Sequence, residues 1–240
     1  MPDSPCARTP DRNRYNAIEP CAFGDLGTGD PPRVALIGDS HSGHLRAAVD
    51  VFAQALGWRA ISITQAGCAF STEAYPAPPP IPARCRLHTA EALRWLRLHP
   101  SVRTVFTSNS AGRGLSPRGF LAAWTHAPSS VRRIYEIRDV PRVSYTTASC
   151  VLSVMRKHAR SIGACSVARS GAFPFDPAAS AAAGAGGRIR LVDLTRSFCN
   201  ASRCYPIIGG AYVYKDFNHL NRVFAATLGP ALLRATGHAE

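Results

Sequence analysis

The chain has little that would carry it through a membrane and little that would hold a metal. Among its 240 residues no apolar run approaches the roughly 18 that a membrane-spanning helix requires. Residues 1–20 are polar and rich in proline and arginine, without the apolar stretch of an export signal. The 8 cysteines include no Cys-x-x-Cys pair and have no histidine beside them at zinc-finger spacing, which argues against a structural zinc site. No metal or other cofactor is expected. Negative charge is scarce, with 15 Asp and Glu against 28 Lys and Arg and a formal net charge of +13. Such a balance raises the question of nucleic acid. The basic residues are nearly all arginine, however, and are scattered without a block of five or six. No zinc-finger, RNP or helix-turn-helix signature accompanies them, so nucleic-acid binding is not expected.

What is present is the composition of a globular domain: 46% hydrophobic residues, 18% charged, and enough length for one substantial core. The cysteines fall as neighbours in the chain, Cys6 with Cys21, Cys68 with Cys85, Cys150 with Cys165 and Cys199 with Cys204. Eight cysteines allow about 105 pairings, and neighbour pairing would close four short loops. The alternative is eight buried thiols in a cytosolic protein; an oxidising compartment is the preferred reading. Without a visible export signal, the chain is then expected to be a fragment, or a domain attached to an exported or membrane-bound partner.

Residues 1–32 show little periodicity and read as an irregular arm, with one domain following over 33–240. Strand-like runs at 33–37, 58–64, 102–108, 131–137 and 189–194 alternate with helical patterns at 43–56, 88–98, 117–125 and 221–235, the last interrupted near Gly229-Pro230. Residues 65–86, with two cysteines and the run 76–82 rich in proline, read as a surface loop; 149–168 is expected to be helical in part, and 177–187 a loose helix or a linker. This alternation predicts an α/β fold with a parallel sheet and helices on both faces.

Two stretches carry chemistry. In the first, the buried strand 33–37 runs into Gly38-Asp39-Ser40-His41 and then a helix, which puts Ser40 at the carboxyl end of a strand, where ligands bind in open α/β sheets. In the second, Asp216 and His219 stand three apart just ahead of the last helix, so one turn brings both to one face. His219 would take the Ser40 proton and Asp216 would orient the imidazole. The serine does not lie in a Gly-x-Ser-x-Gly elbow, which disfavours an α/β-hydrolase. Asp39 is expected to brace the loop, and His41 to pack there or touch substrate. Asp139 lies in a turn at the same sheet edge, where a structural role in the turn is expected over lining the site, and His88, His99, His126, His158 and His238 are expected at the surface.

Gly38-Asp39-Ser40-His41 and Asp216-x-x-His219-Leu220 resemble the first and last blocks of SGNH/GDSL hydrolases. More narrowly, residues 15–235 resemble the SGNH domain attached to membrane acyltransferase-3 proteins, through Cys21-Ala22-Phe23-Gly24-Asp25, Gly67-Cys68, Ile137-Arg138-Asp139-Val140-Pro141, Phe198-Cys199 with Cys204, and Val213-Tyr214. The resemblance implies a flavodoxin-like three-layer α/β/α sandwich, here with a mostly parallel five-stranded sheet. It implies an extracytoplasmic domain that transfers an acetyl or similar short acyl group to a cell-envelope glycan or glycolipid, with a membrane acyltransferase-3 domain as the partner supplying the acyl group. An O-acyl esterase using water, or a silent glycan-binding domain, are the alternatives. It further implies an oxyanion hole from the Ser40 N–H, a glycine after the second strand and an asparagine after the third. Gly67 and Asn109 are the candidates, against their simpler readings as a turn glycine and a helix cap.

Overall fold

A computed structural model describes residues 5–10, 12–27, 29–156 and 162–238. The run Val-Ala-Leu-Ile-Gly has no polar side chain to face water, so it must lie inside, and β3 (Val34–Gly38) is buried along its whole length. Around it the sheet adds β1 (Ala7–Arg8), β2 (Cys21–Gly24), β4 (Arg59–Thr64), β5 (Thr104–Ser108), β6 (Arg133–Ile137) and, later in the chain, β8 (Ile189–Val192). The spatial order is β1-β2-β4-β3-β5-β6-β8. The five strands from β4 to β8 run parallel, and β1 and β2 are antiparallel at one edge.

The sheet therefore has seven strands rather than five, and the difference lies in the first 32 residues. Strands of two and four residues are too short to show a period of two. Yet β2 buries Ala22 and Phe23, pairs along β4, and is tied to β1 by the Cys6–Cys21 disulfide. The remaining strands form small antiparallel ribbons outside the sheet, β7 (Val167–Ala168) with β9 (Arg203–Cys204) and β10 (Ile207–Ile208) with β11 (Ala211–Tyr212).

Helices cover both faces. On one lie α1 (Ser40–His44), α2 (Arg46–Ala55), and the terminal pair α8 (Arg222–Thr227) and α9 (Gly229–Ala235), packed around Leu36, Phe52, Phe106 and Leu232. On the other lie α3 (Ile81–Leu98), α4 (Pro117–Thr125) and α7 (Pro177–Ala185), around Ile37, Ile63, Trp95 and Trp124. The short helices α5 (Thr147–Arg156) and α6 (Arg169–Ala172) belong to the connection between β6 and β8. Helix α3 begins earlier than its apolar spacing predicts because Pro82 sits in its first turn, where no N–H is needed. His88 shares the inner face of this helix with Ala92 and Trp95. His88 is fully buried rather than at the surface, and burial lowers its pKa to about 4. His126 and His238 are exposed, His99 is partly so, and His158 lies outside the described residues. The alanine-rich stretch 177–187 is mostly ordered helix: Asp176 caps it by accepting the Ala179 N–H, and Ala178, Ala179, Ala181 and Ala182 are buried.

All 8 cysteines are paired, each with its neighbour in the chain. No helix among the described residues is long and apolar enough to cross a membrane.

Candidate active site

The registers Gly38↔Thr64 and Gly38↔Ser108 align the carboxyl ends of the three central strands, so the segments after β3, β4 and β5 leave the sheet together. The crossover at Gly38 requires a glycine. Its φ is +146°, and a Cβ there would stand 2.4 Å from Ser42 Oγ and 2.9 Å from the Ser108 carbonyl oxygen. The space is taken by Ser42 Oγ, which accepts the Ser108 N–H (2.9 Å) and lies within donating distance of the Ile37 (2.9 Å) and Ser108 (2.8 Å) carbonyls.

Asp39 is buried and caps α1. Its carboxylate accepts the His41 N–H (2.8 Å), the Ser110 N–H (2.9 Å) and the Tyr75 hydroxyl (2.6 Å). It thus ties the segments after β3, β4 and β5 to one another, and these bonds occupy it fully as a brace. Ser40 opens the helix, partly exposed.

The partner of Ser40 arrives from the far end of the chain. Residues 213–221 fold back on themselves through the Asn221 N–H to Val213 and Lys215 N–H to His219 hydrogen bonds. At the tip, Asp216 Oδ1 accepts the N–H groups of Asn218 (2.9 Å) and His219 (2.7 Å), an Asx turn that sets the side chains of Asp216 and His219 side by side. His219 Nδ1 lies 2.8 Å from Asp216 Oδ2, and its Nε2 lies 2.9 Å from Ser40 Oγ. With Nδ1–H donating to the carboxylate, Nε2 is left to accept the serine hydroxyl. Burial works against charge on Asp216, but the two N–H groups and the His219 ring outweigh it and hold the carboxyl below its usual range. Burial, then the neighbouring His41 and Lys215, hold His219 below the ordinary imidazole value despite Asp216. A base with a lowered pKa stays neutral, and ready to accept a proton, at lower pH.

Gly67 occupies the third position of the turn 65–68, with φ +73° and the Cys68 N–H donating to the Gln65 carbonyl. The Gln65 N–H in turn donates to the Gly38 carbonyl at 3.0 Å, which holds this turn beside the serine loop. Asn109 is buried. Its Oδ1 accepts the Phe70 N–H (3.0 Å), while Nδ2 lies 3.3 Å from Thr107 Oγ1 and 3.4 Å from Glu136 Oε2.

Three neighbours go beyond the sequence reading. Asp139 is hydrogen-bonded to His41 Nδ1 at 2.5 Å, and His41 Nε2 faces Asn218 Nδ2 at 3.2 Å. Burial disfavours a charged His41, but the Asp139 carboxylate more than offsets this and its pKa is raised. Asn218 stands inside the Asp-x-x-His stretch, where no spacing rule marks it. Glu136 was hidden within the apolar run of β6 and is completely buried. Burial first, then the carboxylates of Asp176, Asp139 and Asp39, drive its pKa well above the usual value.

The raised Glu136 pKa has a consequence for stability. Its carboxyl costs the fold nothing while it is also protonated in the unfolded chain, and becomes unfavourable as pH rises above the ordinary carboxyl value. Glu136→Gln is expected to stabilise the protein at neutral pH by about 1–3 kcal/mol, the scale of a buried polar group left incompletely satisfied, with no gain in acid. Melting temperatures of both proteins at neutral and at acid pH check this; an equal shift at both would exclude the buried-acid account.

Seven strands, two helical layers and a serine-histidine-aspartate chain at the carboxyl ends of the central strands define an α/β protein of the SGNH type. Residues 5–234 match the family model described as the SGNH domain fused to AT3 domains, and the chain belongs to that family. No curated protein sequence matches it. Nine solved chains match it, among them the periplasmic domain of a lipopolysaccharide acetyltransferase from Salmonella ser. Paratyphi A, whose fold it shares. That similarity has a TM-score of 0.62 at 12% identity and covers 87% of this chain and 83% of the other.

Proposed function

We propose that this domain transfers an acetyl or similar short acyl group to a hydroxyl of a cell-envelope glycan or glycolipid through an acyl-enzyme on Ser40. The observation that carries this reading is the continuous chain from Ser40 Oγ to His219 Nε2 and from His219 Nδ1 to Asp216, at 2.9 and 2.8 Å. In the first half-reaction Ser40 Oγ bonds to the acyl carbonyl carbon while its proton passes to His219 Nε2. The tetrahedral intermediate then expels the donor's oxygen, which takes that proton. In the second half, the acceptor hydroxyl gives its proton to His219 and attacks the acyl carbon, and Ser40 leaves with the proton restored.

The developing oxyanion is read as bound by the N–H groups of Ser40 and Gly67 with the side chain of Asn109. The two interior contacts of the Asn109 amide nitrogen, at 3.3 and 3.4 Å, are long for amide hydrogen bonds. The acyl donor in this reading is a membrane acyltransferase-3 domain of the kind the family is fused to. An extracytoplasmic location is supported by the four disulfides and by the periplasmic origin of the similar Salmonella domain. The second reading, an O-acyl esterase, is favoured by one observation: the His219 and Asp216 side chains are 22% and 43% exposed, which leaves water a path to the acyl-enzyme.

The test is to incubate the oxidised protein with a chromogenic acetyl ester, with and without a glycan acceptor, and to weigh the glycan by mass spectrometry. Ester cleavage with an acetylated glycan supports transfer. Cleavage whose rate and products ignore the glycan favours the esterase. No cleavage, together with no labelling of Ser40 by a serine-reactive phosphonate, overturns both.

A further inference from the structure

The catalytic turn and the serine helix come from opposite ends of the chain, and something must hold them in register. Hydrogen bonds within 213–221 shape the turn but do not connect it to Ser40. Between the two lies a buried polar chain. Asp139, in the segment after β6, accepts the Ala111 N–H on Oδ2 and the Val140 N–H on Oδ1, and that same Oδ1 meets His41 Nδ1 at 2.5 Å. His41 belongs to α1, next to Ser40. Its Nε2 meets Asn218 Nδ2 at 3.2 Å, and Asn218 is the residue immediately before His219. All three side chains are at least nine-tenths buried.

We propose that His41 is a positioning residue of the active site, which fixes the Asp216–His219 turn against the helix of Ser40 by holding Asp139 on one nitrogen and Asn218 on the other. This rests on the triad reading above and adds to it a side-chain link that helps assemble the triad, beside the hydrogen bonds from the Leu220 N–H to His44 Nδ1 (3.4 Å) and from the Val143 N–H to the Phe217 carbonyl (2.8 Å). One further observation gives the link two positions. Asn218 Oδ1 is buried and has no hydrogen-bond partner. When His41 carries its second proton, rotation of the Asn218 amide turns that oxygen toward Nε2–H and satisfies it, so the contact survives in either protonation state.

The position of His41 also matters electrostatically. Its ring centroid stands 4.8 Å from that of His219. Around it are Asp139 and Arg142 from the segment after β6, Asp39 and His44 from its own stretch, and His219 from the catalytic turn, with Lys215 acting on His44 and His219. Asp139 favours the His41 cation, and that cation disfavours a second one on His219. Removing it lets His219 hold its proton to higher pH, so the acid limb of the rate profile moves up.

The experiment compares wild type, Asn218→Ala and His41→Gln in chromogenic acetyl-ester cleavage across the acid limb, with active sites counted by phosphonate labelling and folding followed by melting temperature. Asn218→Ala is the milder change and keeps the test open if the loss of His41 beside Asp139 prevents folding. Expected for Asn218→Ala is a fall in kcat per labelled site of about 10- to 100-fold, the scale of a small displacement of a catalytic group, with KM little changed. His41→Gln is expected to add a shift of the acid limb in kcat/KM to higher pH. Folded variants with wild-type kcat per site and an unmoved acid limb would overturn the proposal, as would activity lost only in proportion to unfolded protein. A wild type not labelled at Ser40 would instead overturn the triad reading, and this one with it.

Discussion

Ser40→Ala is expected to lower kcat/KM for acetyl-ester cleavage by about 10⁴- to 10⁶-fold, the range seen when a serine nucleophile is removed from such a triad. In the proposed mechanism the hydroxyl is the atom that bonds to the acyl group, and no neighbouring hydroxyl is placed to replace it. Ser42, two residues on, is buried with its Oγ bonded between β3 and β5. The substitution should leave the fold intact, because the cap of α1 is Asp39 and not Ser40. His219→Ala is expected to cost a similar factor, and the double variant little more than either alone, since nucleophile and base act as one unit. Asp216→Asn should cost less, as Asp216 works through His219 and is partly exposed. Steady-state kinetics beside circular dichroism reads all four. A Ser40→Ala protein that retains most of the wild-type rate would remove the acyl-enzyme from consideration.

Reduction of the disulfides is expected to take away most of the protein's stability. Three of the bridges join residues 15 to 17 apart and the fourth joins residues 5 apart. Restricting the unfolded chain by a loop of about 15 residues stabilises by about 3 kcal/mol, so the three longer loops together contribute about 9 kcal/mol. Whole domains are stable by about 5–15 kcal/mol. The bridges also lie close to the chemistry. Cys68–Cys85 joins the turn holding Gly67 to α3, and Cys199–Cys204 closes a short loop in the same apolar cluster as Val213 and Tyr214, just ahead of Asp216. Denaturant midpoints with and without reductant measure the effect, and thiol counting in the unfolded oxidised protein should find no free cysteine. Eight free thiols with an unchanged midpoint would remove the argument for an oxidising compartment.

How much of this could be read from the chain depends on the range of each interaction. The parallel core was legible because a strand such as 34–38, buried on both faces, is apolar throughout, and because β-branched runs such as 104–108 alternate with helical patterns. The edge strands β1 and β2 were not, because they are short and β2 pairs with β4, and β1 with β2, on a sheet edge already built by other elements. Ser40 was legible from a strand that ends in Gly-Asp-Ser ahead of a helix, and Asp216 with His219 from their spacing. His41 and Asp139 were each legible near the sheet edge, but their pairing was not. Nothing in a buried histidine's sequence neighbourhood identifies a carboxylate 98 positions away. Glu136 was hidden for a related reason: a residue in an apolar strand shows its protonation only through what surrounds it.

Local sequence alone marked the groups that a short span places: the candidate nucleophile Ser40 at a strand end, the candidate base His219 and orienting carboxylate Asp216 one turn apart, and cysteines close enough in the chain to pair with their neighbours. Tertiary structure alone decided how the two halves of the site meet. Ser40 and His219 are 179 residues apart, and their 2.9 Å contact depends on strand register and on buried polar bonds between β6, α1 and the C-terminal turn. Backbone propensity and hydrophobic period act over a few residues. A hydrogen bond between distant segments forms only once burial has brought them together, and so only the folded chain displays it.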